Sequence, residues 1–210
     1  MENILIDALP TSVEINGEDW PVDWGYRALI LCEIDLFAPN KSDEQKMMEI
    51  LNIFYMDNVP DDLDEAMRQF LYFFSGGISS EETGTGQGSS SGKRAYDFDQ
   101  DASMIYAAFR SQYGINLNQT RDRDLHWWEF LAMFNSLNED HLISKMMYWR
   151  TVNLKDVPKS EKKFIKNMKK RYAIRTEQIK VDKKVKLARR NAKMKEYVRK
   201  RMEECHKQEK

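Results

Sequence analysis

The residues of this chain best suited to chemistry are not spaced to perform it. His126, His141 and His206 are scattered. His126 and His141 sit near an Asp at the start of apolar-periodic segments, which suits a cap or surface residue better than a base or a metal ligand. Cys32 lies in an apolar run and reads as a small core residue, while Cys205 lies in a charged tail. The two form neither a metal pair nor a disulfide framework, as expected of free thiols in a reducing cytoplasm. No Ser occupies a nucleophile elbow. Asp97, Asp99 and Asp101 open like a calcium loop, but its sixth position is Ala102 rather than Gly and its twelfth is Ala108 rather than Glu. Acids in a first helical turn explain them better. Gly84, Gly86 and Gly88 invite a phosphate-loop reading, yet no strand precedes them and no Lys-Ser/Thr pair closes the run. The expectation is a binding protein, not an enzyme, with no cofactor and no metal.

Charge gives the stronger signal. Residues 1–150 hold 11 Lys+Arg against 26 Asp+Glu, and residues 151–210 hold 22 against 8. The formal net charge of −1 hides this opposition. A strong asymmetry of this kind speaks of partners and of association, not of fold. Aromatic and basic residues alternate in 162–175 (KKFIKNMKKRYAIR) and recur in 183–201. Such a pattern can neutralise phosphates and stack bases, but the acidic body would repel the same polyanion. An arm that engages an acidic protein is the better expectation. The basic contacts expected are Lys169, Lys170, Arg171, Lys183, Lys184, Arg189 and Arg190. No apolar stretch approaches a membrane span and no N-terminal export signal is evident, so the expected setting is the cytoplasm.

The elements that must position these residues are mainly helical. Residues 12–22 read as a β-hairpin around Asn16-Gly17. A first helix is expected from Asp23 to Phe37, its buried face formed by Trp24, Ala28 and Leu31 and broadened by Leu29, Ile30, Ile34 and Phe37. A second starts at Ser42 or Asp43 and ends before Asn58, and a third spans about 61–74. Residues 76–94 are dominated by Gly and Ser and read as a flexible linker. A second helical unit follows, with helices expected from Asp97 to Tyr113, from Asp124 and from about Asp140. From Ser160 a long basic helix is expected to run as far as 205, docked by Phe164, Ile165, Met168 and Tyr172 and partly free beyond Ile174. The fold class is therefore mainly α (α+β). Its expected divisions are an N-terminal hairpin-plus-helices unit (1–75), a linker (76–94), a helical unit (95–174) and a basic tail (175–210).

Trp127-Trp128 is the sharpest local feature. Adjacent helical residues point about 100° apart, so burying both rings requires cover on a wide front. They either anchor the hub of the second unit or offer a ring to a partner, as Trp often does at interfaces. The candidate partner-binding residues are Trp20, Trp24, Tyr106, Phe109, Trp127, Trp128, Phe130 and Trp149.

The runs YDFDQDASMIYAAFRSQYGINL (96–117) and LHWWEFLAMFNSL (125–137) resemble the "Gp-fifteen" family of long-tailed bacteriophages and prophages. LPTSVEINGEDWPVDWGYRALI (9–30) and MMYWRTVNLKDVPKSEKKFIKNMKKRYA (146–173) fit the same family. The resemblance implies a tail assembly chaperone encoded beside the tape-measure gene. Such a protein would keep the tape-measure protein soluble, help to recruit tail-tube subunits, and self-associate or work with a shorter companion chaperone. It would act in the host bacterial cytoplasm and be absent from the mature virion. The alternatives are a permanent structural tail component and a nucleic-acid-binding protein using the basic tail.

Overall fold

The computed structural model describes residues 4–78, 94–120 and 124–175. Among them are one hairpin and seven helices. Strands β1 (Ser12–Ile15) and β2 (Glu18–Pro21) pair antiparallel, with Val13 opposite Trp20 and Glu14 opposite Asp19. Asn16 and Gly17 both take positive φ, 53° and 84°, as a two-residue turn between twisted strands requires. Val13 and Ile15 point inward and are buried.

Helices α1 (Tyr26–Leu36), α2 (Asp43–Phe54) and α3 (Leu63–Phe74) follow. A reciprocal capping box between Ser42 and Gln45 starts α2, and the Asp62 carboxylate caps α3 by accepting from the Glu65 amide. After the segment outside the described residues come α4 (Ala102–Tyr113), α5 (Trp127–Asn135), α6 (Leu142–Thr151) and α7 (Lys162–Arg171). Gly114 ends α4 in the left-handed conformation, where a side chain would be strained. No helix among the described residues is long and apolar enough to cross a membrane.

Four expectations are corrected. First, residues on both sides of 76–94 do not build separate cores. Met1–Ile174 form one compact unit, and one cluster of buried side chains runs from Val13 through Phe54 and Phe73 to Trp127, Phe130 and Ile143. A second unit begins at Arg175, the only residue of it described. Second, α1 is rotated from the expected face. Tyr26, Ala28, Leu29, Cys32 and Glu33 are buried, whereas Leu31 is 53% and Phe37 45% exposed. The run of consecutive apolar residues left the face underdetermined, and the pairing with α2 selected Leu29 and Cys32. Third, three helices start later than expected. α4 starts at Ala102 because residues 97–101 form a preceding turn, α5 at Trp127 because His126 is its cap, and α1 at Tyr26. Fourth, the helix expected to run on from Ser160 stops at Arg171, and residues 172–175 are not helical. Residues 176–210, with Lys183, Lys184, Arg189, Arg190 and Cys205, lie outside the described residues, as does most of the 76–94 segment.

Candidate interaction surfaces

An aromatic seam joins the first three helices to α5. The indole of Trp127 donates to the Phe74 carbonyl at 2.9 Å, and that of Trp128 donates to the Phe73 carbonyl at 2.8 Å. Both carbonyls lie at the C-terminus of α3: Trp127 pairs the Phe74 carbonyl beyond the last helical bonds, Trp128 adds a second donor to the Phe73 carbonyl, which also accepts from the Gly76 amide, and both rings are buried. Gly77, with φ +77°, lies under Trp128, and a Cβ built on it would meet the ring at 2.7 Å. The seam is closed by backbone: Tyr26 N–H donates to Leu125 O, and Trp127 N–H donates to Trp24 O. His126 caps α5, its Nδ1 accepting from the Trp128 amide at 3.0 Å while Nε2 lies 2.9 Å from Pro10 O. One nitrogen accepts and the other faces an acceptor, which fits the neutral Nε2–H tautomer. His126 is buried and stacks on Trp24.

The candidate partner residues thus divide. Trp127, Trp128, Phe109 and Phe130 are interior: Phe130 stacks on Tyr26, Phe109 and Trp127. They build the hub, and all four rings are buried within the chain's own core. Trp20, Trp24 and Tyr106 are half-buried; the Tyr106 hydroxyl is bonded to the Asn116 side chain. Trp149 is half-buried between Phe164 and Tyr172. Of the basic contacts, Lys169 donates to Arg150 O, while Lys170 and Arg171 are exposed.

Three surfaces stand out. Down the axis of α1, Ile30, Leu31, Ile34 and Phe37 fall in one arc opposite Leu29 and Cys32, giving an apolar stripe on the outer side. On α7 only Ile165 is buried; Lys163, Lys166, Lys170 and Arg171 are exposed, with Phe164 beside them at 54% exposure. The outer face of the hairpin sets Glu14 directly opposite Asp19, with Glu18 at the turn. Next to it, the Asn16 side chain is bonded to Asp62, whose carboxyl is held below its ordinary value by the Glu65 amide first and Asn16 second.

Over residues 5–174 the chain matches the family described as Bacteriophage Gp15 protein. It belongs to that family. No curated protein matches the chain, and no solved structure does. Membership in the Gp15 family makes this a bacteriophage protein and supports a structural or assembly-related role.

In this Gp15-family chain the buried charges were not legible beforehand. The Arg150 guanidinium is clamped on the Asp101 carboxylate, with Nη2 to Oδ1 at 2.9 Å, and also donates to Ala95 O and Tyr172 O. Both side chains are almost fully buried. Asp101 also accepts from the Asp97 amide, so its role is this clasp rather than a first-turn acid. Glu33 is buried on α1, 3.4 Å from the Tyr96 hydroxyl and 4.0 Å from the Arg94 guanidinium. Burial pushes its carboxyl up to about 7 despite Arg94, and burial followed by the nearby Glu33 charge raises the Tyr96 phenol. The Arg94 guanidinium lies 3.6 Å over the Phe37 ring, covering one end of the α1 stripe. The one available signal was a lone Arg in an apolar helix; its partner is 49 residues away.

Proposed function

We propose that this protein is a phage tail assembly chaperone that binds, without catalysis, the apolar face of a long helical tape-measure protein and helps to bring tail-tube subunits to it. The observation that carries this reading is the outer stripe of α1, where Ile30, Leu31, Ile34 and Phe37 stay partly or largely in water although the helix has a well-packed inner face. An amphipathic helix laid on such a stripe is held at i, i+3, i+4 and i+7 spacings. The stripe sits on a firmly seated helix, because α1 is fixed by α2 on one side and by the Gly25–His126 bridge to α5 on the other. Family membership supports the setting, and the exposed cations of α7 suit a second, acidic partner. Action in the host cytoplasm and absence from the finished virion are part of the same proposal.

Co-expression with the tape-measure product tests it. The full chain is expected to shift that product from pellet to supernatant and to co-purify with it. A Leu31→Asp, Ile34→Asp variant that keeps the parent melting temperature is expected to lose both effects. A client that stays insoluble beside the unaltered chain, or recovery of the chain as a fixed component of purified virions, overturns the reading.

A further inference from the structure

We propose that the α7 face of one copy of this protein docks on the hairpin of another, so that copies join head to tail. The inference does not depend on the chaperone reading, since it concerns the chain alone.

Two observations meet. The first is α7: six of its ten residues are Lys or Arg and none is acidic. Lys163, Lys166 and Lys170 lie on its solvent side, and no ion pair forms to them among the described residues. Phe164 stands exposed beside them, although it already touches Trp149 edge-on. An exposed aromatic ring is of the kind enriched at interface cores, and the lysines around it supply a charged rim. The second is the hairpin. Glu14 and Asp19 are directly opposed across the strands, an arrangement that destabilises a two-stranded ribbon. Neither has a cation in contact among the described residues, and Glu18, Asp61 and Asp64 add further exposed carboxylates from β2 and the start of α3. A cation brought from outside would relieve this opposition of like charges.

Among the described residues these two faces do not meet each other. α7 packs on α6, while the hairpin packs on α3, and no hydrogen bond or ion pair joins α7 to the hairpin among the described residues. A second copy offers the complementary charge in each case. A polyanion such as nucleic acid would answer only α7 and be repelled by the hairpin and α3. Because the two faces differ, the contact is heterologous: each added copy leaves one free face of each kind, and the assembly grows as an open row unless its rotation closes a ring.

Sedimentation velocity of the full chain, freed of nucleic acid, tests this. At low salt the weight-average mass is expected to rise steadily with concentration beyond two copies of the 24.9 kDa chain, and to fall back to one copy at high salt. Lys163→Glu, Lys166→Glu, Lys170→Glu in one chain, or Glu14→Lys, Glu18→Lys, Asp19→Lys in another, should each weaken association by roughly tenfold or more. Mixing the two variants should restore it, since every face then meets its opposite. Asp19→Lys alone separates binding from folding: it places Lys opposite Glu14, so the melting temperature should hold or rise while association falls. A monomer at all concentrations, association unmoved by the α7 reversals, or a mixture that stays monomeric overturns the proposal.

Discussion

The aromatic seam and the ionic clasp do the same job by opposite means. The seam binds α5 to the end of α3 through Trp127 and Trp128, rings that bury large area and use their single N–H groups on helix-end carbonyls. The clasp binds the start of α4 to the end of α6 through Asp101 and Arg150, and reaches the Ala95 and Tyr172 carbonyls with the remaining donors. Removing part of the seam loses contact area and leaves a hole. Removing half of the clasp leaves a charge in the dark. The two losses are similar in size, but only the clasp can be relieved by removing the other half as well.

Trp127→Ala should therefore cost about 3–5 kcal/mol, read from chemical unfolding, and no second substitution at Phe74 should recover it. Arg150→Met should cost about 3–4 kcal/mol because Asp101 is stranded. Adding Asp101→Leu to Arg150→Met should return part of that loss, although the Asp97 amide and the Ala95 and Tyr172 carbonyls lose their partners. A double variant no better than the single would place the clasp with the seam.

Gly77→Ala is expected to cost about 1–3 kcal/mol. It combines a positive φ with a contact 2.7 Å from the Trp128 ring, and a matching loss of near-ultraviolet dichroism would locate the damage in the seam.

Glu33 gives a smaller effect with a definite sign. Its folded carboxyl titrates near 7 rather than near 4.5, so the folded state holds a proton that the unfolded state has released. Stability then falls as pH rises from about 4.5 to 7 and is flat in this respect above, an effect of at most about 3 kcal/mol. Glu33→Gln should remove that slope, and unfolding curves taken across this range would show the two chains diverging toward neutral pH. Leu31→Ser, on the outer stripe, should move stability by no more than about 0.5 kcal/mol while weakening client capture.

Local chemistry made much of the fold readable. Asn16-Gly17 dictates its turn, Ser42 and Gln45 form a box three residues apart, and Gly114 ends α4, because each of these devices is complete within a few residues. The candidate site was less legible. Eight aromatic residues looked alike as binding anchors, and burial of Phe109, Trp127, Trp128 and Phe130 depends on which helices cover them. The outward face of α1 is underdetermined for the same reason: with apolar residues at 28–32 and again at 34, 36 and 37, several faces satisfy the periodicity equally.

By itself, then, the sequence determined the helical character, the hairpin, the caps, the opposition of charge between the two halves and the family. Tertiary structure alone decided that the Gly/Ser-rich segment does not divide the core, that the paired tryptophans are a hub, and that Arg150 finds Asp101. The reason is range. Caps and turns are settled by neighbours along the chain, whereas burial and charge pairing are settled by residues tens of positions away, which meet only once the helices have packed.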